Sequence, residues 1–336
     1  MNEASTAQWP PEPDFSAITT DELFAYRDAE NAWRASTAAR AILGEPDPAA
    51  AVGWTELVLP GRRLPVRVYR PLPTGDGEAH TRPDLPAAVH VHGGSFVGTA
   101  AQCDWINSHH AVHLPAVVVS VEHRLVGPDS PPANAADDGW DVLRHVVRHA
   151  RQWGVDPSRT AVFGESCGAL ISALTAIRAR EAGLRLKAQV LVNPAVDVTG
   201  TMYDHLSIDQ YGYSPSLAVP QLQFFQRLAV PPGSDASAVS PLYADDLGGL
   251  APALVVGCRP ETRSPTTAAA TPSGCARPGR PCGSPNTRGH GTRSSPCRAS
   301  NHRPGRLGRR SSNSSARPSS RNGGTMPMTG GRKADG

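Results

Sequence analysis

The residue types with the clearest chemical meaning stand in one pentapeptide. Gly164, Glu165, Ser166, Cys167 and Gly168 match the pattern G-x-S-x-G. Between a strand and a helix, the two glycines allow a sharp turn that holds the serine hydroxyl clear of the sheet, at a helix N-terminus. We therefore expect Ser166 to be a nucleophile, with a purely structural tight turn as the alternative.

A glycine-rich segment about seventy residues earlier could supply the second half of such a site. His92, Gly93 and Gly94 follow an apolar run. We expect the N–H groups of Gly93, Gly94 and Cys167 to hold the oxyanion of a tetrahedral intermediate. His92 is expected to orient this loop by hydrogen bonding and not to act as the base. Taken alone, the segment is as typical of an ordinary glycine-rich loop between a strand and a helix as of an oxyanion-binding loop.

The elements that must position these residues follow from the hydrophobic pattern. Residues 18–42 predict an amphipathic helix with Thr20 as its N-cap. Two strand-like runs, Trp54–Leu59 and Leu64–Tyr69, flank a Pro-Gly pair and predict a hairpin. Residues 136–152 also predict a helix.

Five compact apolar runs predict further strands, and helical stretches lie between several of them. The runs are Ala87–Val91, Pro115–Val121, Thr160–Phe163, Ala188–Val192 and Ala253–Val256. Strands alternating with helices predict an α/β fold with a doubly wound, mostly parallel sheet.

The charge of the chain is divided sharply between its two parts. Residues 259–336 carry fourteen Arg and one Lys against one Glu and one Asp, a net charge of +13. Because the whole chain has a net charge of +3, residues 1–258 carry −10. The first 258 residues therefore form an acidic globular protein, and the basic character belongs to the tail.

The tail does not have the composition of a folded domain. It contains no Val, Ile, Phe, Trp or Tyr, and Leu307 is its only Leu. Such a segment buries too little apolar surface to offset its ordering entropy, so residues 259–336 are predicted to be disordered. Their many Arg residues resemble a nucleic-acid-binding arm. Because no aromatic residues are interleaved with them, we expect that the protein does not bind nucleic acid.

Other sequence features narrow the class of protein. The spacing of the six Cys suggests neither a zinc site nor a disulfide framework. The N-terminal residues lack the basic start and apolar run of a signal peptide. No stretch approaches the roughly 20 apolar residues needed to span a bilayer. We therefore predict a cytoplasmic protein without a membrane partner.

Residues 85–257 resemble the hormone-sensitive-lipase branch of the α/β-hydrolases, which contains microbial esterases and acetyl-hydrolases. Beyond the two motifs, the resemblance rests on residues 122–125 (EHRL), 154–159 (GVDPSR), 240–242 (SPL) and 250–256 (LAPALVV). The chain departs from the family at Ser95, where a third glycine is usual, and at residues 165–169, where ESCGA replaces the usual DSAGG.

The resemblance implies a domain organisation and a chemistry. Residues 46–258 would form an α/β-hydrolase core, while residues 1–45 and an excursion at residues 200–235 would form a helical cap over an acyl pocket. The expected substrates are small acyl or acetyl esters, bound without a metal or organic cofactor. Oligomeric state remains open.

A serine nucleophile needs a histidine to take its proton and a carboxylate to orient that histidine. The family carries both after the serine, in segments that are missing beyond Val256, together with the last strands of the sheet. Weak substitutes are visible: Asp197 occupies a place where some α/β-hydrolases carry the acid, and His290 lies in the tail. Asp245 and Asp246 are more typical of a solvated turn.

A shifted reading frame accounts for both the odd tail and the missing residues. Read one nucleotide earlier with GC-favoured codons, residues 262–276 become DPLTDDGRGYAERLR, and residues 282–298 become VRLTEYPGPRHAFLAMP. The new Asp falls on Thr262 and the new His on Thr292, 30 residues apart and close to the family's spacing. We predict a frameshift, in the gene or in its sequencing, near residues 257–260.

The sequence thus predicts a carboxylic-ester hydrolase that acts through Ser166 and is impaired as printed. One alternative is an acetyl-hydrolase that deprotects a natural product, from an ester or an amide. Another is a non-catalytic ligand-binding protein on the same scaffold, because plant hormone receptors similar to this family have lost the triad histidine.

Overall fold

The computed structural model describes residues 9–73, 84–205, 208, 213–214 and 217–257. The predicted disorder of residues 259–336 and the shifted-frame positions Thr262 and Thr292 lie outside the described residues, as does His290. None of the helices in the described ranges combines the length and apolarity needed to cross a membrane.

One seven-stranded sheet organises the described chain. The described strands are β1 (Ala50–Leu59), β2 (Arg62–Pro71), β3 (Leu85–Val91), β4 (Val117–Val121), β5 (Val155–Glu165), β6 (Ala188–Val192), the short pair β7 (Tyr213–Ser214) and β8 (Leu217–Ala218), and β9 (Ala253–Val256). The strand order of the seven-stranded sheet is β1-β2-β4-β3-β5-β6-β9. β1 and β2 form the predicted hairpin, and β4, β3, β5, β6 and β9 run parallel. The predicted mostly parallel α/β sheet is confirmed.

Seven α-helices are described alongside this sheet. They are α1 (Thr20–Arg34), α2 (Thr37–Leu43), α3 (Asp104–His113), α4 (Pro132–Arg148), α5 (Ala150–Trp153), α6 (Cys167–Glu181) and α7 (Val219–Ala229). α4 and α6 pack on the central strands β3 and β5, whereas α3 packs on β1, β2 and β4.

The central strand β4 is buried on both faces of the sheet. All five of its residues are buried. Val117, Val119 and Val121 join the main hydrophobic core, whereas Val118 packs in a separate cluster with Ala111 of α3. Because successive side chains of a strand point to opposite faces, an uninterrupted apolar run is what a strand covered on both sides requires.

The single helix predicted over residues 18–42 is two helices, so that prediction was wrong in its boundaries. Thr19, and not Thr20, caps α1 through a reciprocal capping box with Glu22. Ser36 caps α2, with its hydroxyl accepting the N–H of Ala39. A serine that can satisfy N-terminal amides offers the chain a new helix start, and here it divides the amphipathic pattern.

The two segments predicted to form a cap contact each other. Phe15, from the N-terminal segment, lies 5.5 Å between ring centroids from Phe224 of α7. Both rings also pack on Phe96 in the glycine-rich loop, at 5.6 and 5.1 Å. Arg227 of α7 donates to the carbonyl oxygen of Phe15 at 2.8 Å. One residue from each segment therefore packs on the loop that follows β3.

The last described strand, β9, is unusually exposed. Within the described residues it pairs with β6 alone, and the relative exposures of Leu254 and Val255 are 58% and 60%. Apolar strands of parallel sheets are normally covered on both faces. This exposure agrees with the prediction that sheet elements are missing, which stays a prediction.

We predict that Leu23→Ala lowers the free energy of unfolding by about 2–5 kcal/mol, because it leaves a cavity under α1. Leu23 is 1% exposed, whereas the adjacent Phe24 is 40% exposed. Phe24→Ala is the matched control, and urea unfolding should show a clearly smaller loss for it. Equal losses in the two variants would mean that α1 is not anchored through Leu23.

Candidate active site

Ser166 stands at a strained turn between β5 and α6. Its backbone angles are φ 54° and ψ −119°, a conformation that residues with side chains rarely adopt. The N–H of Ser166 donates to the carbonyl oxygen of Val192 at 2.8 Å, so the end of β6 supports the turn. This is the strand–turn–helix geometry that the pentapeptide predicts.

The glycines of the pentapeptide are required by a close backbone approach. A Cβ atom on Gly168 would lie 2.0 Å from the carbonyl oxygen of Val91 and 2.6 Å from that of His92. A Cβ atom on Gly164 would also lie 2.6 Å from the Val91 oxygen. Only glycine fits at either position, because the end of β3 occupies the space that a side chain would need.

The glycine-rich loop lies against the serine turn, as the sequence predicts. A Cβ atom on Gly93 would come within 3.4 Å of the Ser166 Cβ. The N–H of Gly93, however, donates to Oε1 of Glu165 at 2.7 Å. The expectation that this N–H holds an oxyanion is therefore corrected, because the Glu165 carboxylate already accepts its hydrogen.

Glu165 is the residue whose role the sequence pattern did not reveal. Its Oε2 lies 3.0 Å from Nε2 of His90, and its Oε1 accepts from the thiol of Cys103 at 3.3 Å. Nδ1 of His90 lies 2.7 Å from the hydroxyl of Ser120 and 3.0 Å from the amide of Asn107. A polar network thus runs from the sheet interior to the loop.

This network has the composition of a catalytic triad, but its serine is closed to substrate. Ser120 lies in β4 with no exposed surface, so its hydroxyl cannot meet a substrate. Ser120 and His90 instead hold the carboxylate of Glu165, which accepts the N–H of Gly93. The network positions the loop, and the expectation that Ser166 is the nucleophile stays a prediction.

The same contacts set the ionisation of Glu165. Burial by itself raises the pKa of this carboxyl group, but His90 and the hydrogen bonds from the Gly93 N–H and the Cys103 thiol outweigh it. The pKa of Glu165 is therefore below its ordinary value. The carboxylate stays ionised where it accepts the loop N–H.

His92 is buried in the position expected of a loop-orienting residue. Its Nδ1 lies 2.9 Å from the carbonyl oxygen of Gly93, and its ring stacks on that of His123 at 4.2 Å. Burial holds the pKa of His92 well below its usual value. Among the described residues, the histidines make their hydrogen bonds to partners other than Ser166.

Cys167 places a second potential nucleophile beside Ser166, and its environment disables it. The side chain is 1% exposed. Burial raises the pKa of Cys167 to about 11, against smaller opposing hydrogen bonds from Ser95. Because the thiolate is the reactive form of cysteine, this thiol stays protonated and inert near neutral pH.

Helix α1 fixes the far side of the glycine-rich loop. Arg27 donates to the carbonyl oxygens of Phe96 and Val126, both at 2.6 Å. The side-chain oxygen of Asn31 accepts the N–H of Gly98, also at 2.6 Å. These long-range hydrogen bonds were not visible in the hydrophobic pattern that predicted the helix.

Asp197, the acid candidate within the described residues, acts as a turn cap. Its carboxylate accepts the N–H and hydroxyl of Thr199 at 2.8 and 2.7 Å, and the hydroxyl of Thr201 at 2.8 Å. His205 lies 3.5 Å away. These hydrogen bonds account for the burial of Asp197 without a catalytic role.

A serine at a strained strand–helix turn, faced by a glycine loop after the neighbouring parallel strand, defines an α/β hydrolase site. A family model for the alpha/beta hydrolase fold matches residues 88–269. The chain belongs to the α/β hydrolase fold family, as the sequence resemblance implied.

Individual relatives are similar over part of their length. Esterase LipI of Mycobacterium tuberculosis is 34% identical over 213 residues, which are 60% of this chain and 62% of that protein. Gibberellin receptor GID1 of Oryza sativa subsp. japonica is 35% identical over 151 residues, 39% of this chain and 42% of the receptor. The chain therefore spans less than two thirds of both curated relatives.

The fold is also similar to that of solved structures. The hyperthermophilic esterase from Pyrobaculum calidifontis is 31% identical, with a TM-score of 0.59 over 75% of each chain. The likeness extends over most of the chain that the structure describes.

We predict that Gly168→Ala lowers the free energy of unfolding by about 3 kcal/mol, because the added methyl group meets backbone atoms that cannot rotate away. Gly200→Ala is the control, since a Cβ atom there has nothing within 4 Å. Urea unfolding should leave this control within about 0.5 kcal/mol of the parent. A tolerated Gly168→Ala would contradict the close approach of β3.

We also predict that Glu165→Gln changes how stability depends on pH. A carboxyl pKa that is lower in the folded state than in the unfolded state contributes stability above the unfolded value. That contribution disappears as the pH falls through the folded pKa. The parent should therefore be more stable than Glu165→Gln near neutral pH, and the difference should shrink in acid.

Urea unfolding at a series of pH values measures this difference. Glu181→Gln, which removes a 60%-exposed carboxylate from the end of α6, is the control and should follow the parent at every pH. A constant gap between the parent and Glu165→Gln down to the acid end would contradict the ionised network.

Proposed function

We propose that this protein is a serine hydrolase of carboxylic esters, acting on small acyl groups such as acetyl through an acyl-enzyme on Ser166. The observation that carries the proposal is the strained Ser166 turn packed against the Gly93 loop. The esterase names of LipI and the Pyrobaculum calidifontis structure support ester chemistry.

In the proposed reaction, the Ser166 oxygen attacks the ester carbonyl carbon while a base removes its proton. The carbonyl oxygen becomes an oxyanion, which accepts hydrogen bonds from the N–H groups of Gly94 and Cys167. Cys167 opens α6, so its N–H has no acceptor within the helix and carries the helix's positive end. Collapse expels the alcohol with the proton, and water then releases the acid by the same route.

The base and its carboxylate are proposed to come from the restored reading frame. The His would stand at the position of Thr292 and the Asp at that of Thr262. The printed chain would then hold the nucleophile and oxyanion donors but lack the groups that move the proton. Its residual rate would come from oxyanion stabilisation and binding alone.

The contact between the N-terminal segment and α7 supports the proposed cap over a small acyl pocket. The three rings of Phe15, Phe96 and Phe224 pack beside the glycine loop. Such an apolar wall suits a short acyl chain and excludes water from the acyl-enzyme. We propose that the ester chemistry uses no cofactor, and that the protein has no nucleic-acid or membrane partner and a cytoplasmic location.

Two other functions can be distinguished from ester hydrolysis by experiment. An acetyl-hydrolase of a natural product would use the same Ser166 chemistry, and hydrolysis of N-acetyl compounds in preference to acetyl esters would identify it. The similarity to Gibberellin receptor GID1 favours a ligand-binding protein. That function requires an unreactive Ser166 even in the frame-restored chain.

We expect the frame-restored protein to hydrolyse p-nitrophenyl acetate and to be labelled by a fluorophosphonate probe. Ser166→Ala should abolish labelling and lower kcat by about 10⁴- to 10⁶-fold. The printed chain should show a similarly low kcat. Ser120→Ala is the control for serine content, and labelling should persist in it because Ser120 is buried.

The frameshift is tested by resequencing codons 250–265. An intact frame, together with clear ester turnover by the purified 336-residue chain, would overturn the proposal that the tail is out of frame. A frame-restored chain that folds but is neither labelled nor active would favour the receptor-like function.

A further inference from the structure

Two histidines and an aspartate converge at the C-terminal end of α3. His109 and His113 are four residues apart, so they share one face of the helix, and their ring centroids lie 4.0 Å apart. Asp47, between α2 and β1, directs Oδ2 at both rings. This oxygen lies 3.3 Å from Nε2 of His113 and 4.0 Å from Nδ1 of His109.

We propose that Asp47, His109 and His113 bind a divalent transition-metal ion, with Zn²⁺ as the ion that suits them best. Two imidazoles and one carboxylate form a ligand set typical of zinc sites that keep a fourth position for water. Tetrahedral zinc with bonds near 2.0–2.1 Å requires ligand atoms about 3.4 Å apart. The three ligand atoms already lie within 4.8 Å of one another.

The carboxylate of Asp47 is held in place before any ion binds. Its Oδ1 accepts the N–H of Ala49 at 2.9 Å, and its backbone N–H donates to the hydroxyl of Ser108 at 2.8 Å. The side chain is only 17% exposed. Oδ2 is thereby aimed at the rings by contacts on both sides, which lowers the ordering cost of binding.

The two rings can make the small movement that remains. The side chains of His109 and His113 are 55% and 56% exposed, so water and an ion can reach them. Closing the Asp47–His109 separation from 4.0 Å to a tetrahedral edge needs a shift of about 0.6 Å. A ring rotation on the helix surface supplies a shift of this size.

A second histidine pair offers a matched comparison. His145 and His149 are also four residues apart, with ring centroids at 4.2 Å. In the described ranges no third ligand group joins them, and Nδ1 of His149 is already bonded to the carbonyl oxygen of His145 at 2.9 Å. Helical spacing is common to both pairs, and the fixed carboxylate is particular to the α3 site.

Metal binding would join two parts of the chain that are far apart in sequence. Asp47 precedes β1, and the histidines form the last turn of α3. An ion held by all three would tie this connection to the helix and stabilise the folded state by mass action. Zinc binding at this site is independent of the proposed ester hydrolysis.

The test is a calorimetric titration of the full 336-residue protein with Zn²⁺ near neutral pH. The tail also contains Cys and His residues, so the readout is the difference between variants. The parent should bind one equivalent more than the double variant His109→Ala, His113→Ala. Asp47→Asn should keep that equivalent with an affinity lower by roughly tenfold or more.

The control is the double variant His145→Ala, His149→Ala, which should bind as many equivalents as the parent. Thermal melting gives a second measurement: Zn²⁺ should raise the Tm of the parent more than that of the α3 double variant. If the parent and the α3 double variant melt at similar temperatures without zinc, the variant is folded. If they do not, the single variant His109→Gln, at an exposed position, takes the place of the double variant. Unchanged stoichiometry in a folded α3 variant, or the same loss in the control, would overturn the proposal.

Discussion

Two carbonyl oxygens at the end of β3, those of Val91 and His92, lie in the space that side chains at positions 164 and 168 would occupy. β3 and β5 are parallel neighbours, with Val91 opposite Gly164. The sheet register therefore brings the loop after β3 onto the turn after β5. Glycine at both positions permits this contact, and the strained Ser166 conformation and the facing loop follow from it.

Glu165 adds an electrostatic constraint to this steric one. Glu165 is the residue before Ser166, and its carboxylate fixes the loop by accepting the N–H of Gly93. His90 supports the carboxylate from inside the sheet, and Arg27 holds the loop from α1. A preorganised site needs such support, because donors that must reorient during reaction stabilise an oxyanion poorly. The Ser166 turn, the loop and the N-terminal helix thus form one polar framework.

The sequence predicted the fold and the strained turn at Ser166 because both depend on local patterns. Apolar runs located Ala188–Val192 and Ala253–Val256 with the bounds that the structure gives, and the glycine spacing located the turn at Ser166. The roles of Glu165 and the division of the first helix at Ser36 were missed. Each depends on which polar atom finds which partner across the fold, and periodicity carries no such information.

Among the described residues, β9 is the last strand of the sheet, and its exposed edge has a consequence for how this polypeptide behaves in a crowded cell. Backbone hydrogen-bonding groups along an open sheet edge are a template on which a strand of another molecule can add. Leu254 and Val255 would make such pairing hydrophobically favourable as well. Self-association of this kind grows with concentration, so chaperone capacity and expression level would govern how much monomeric protein accumulates.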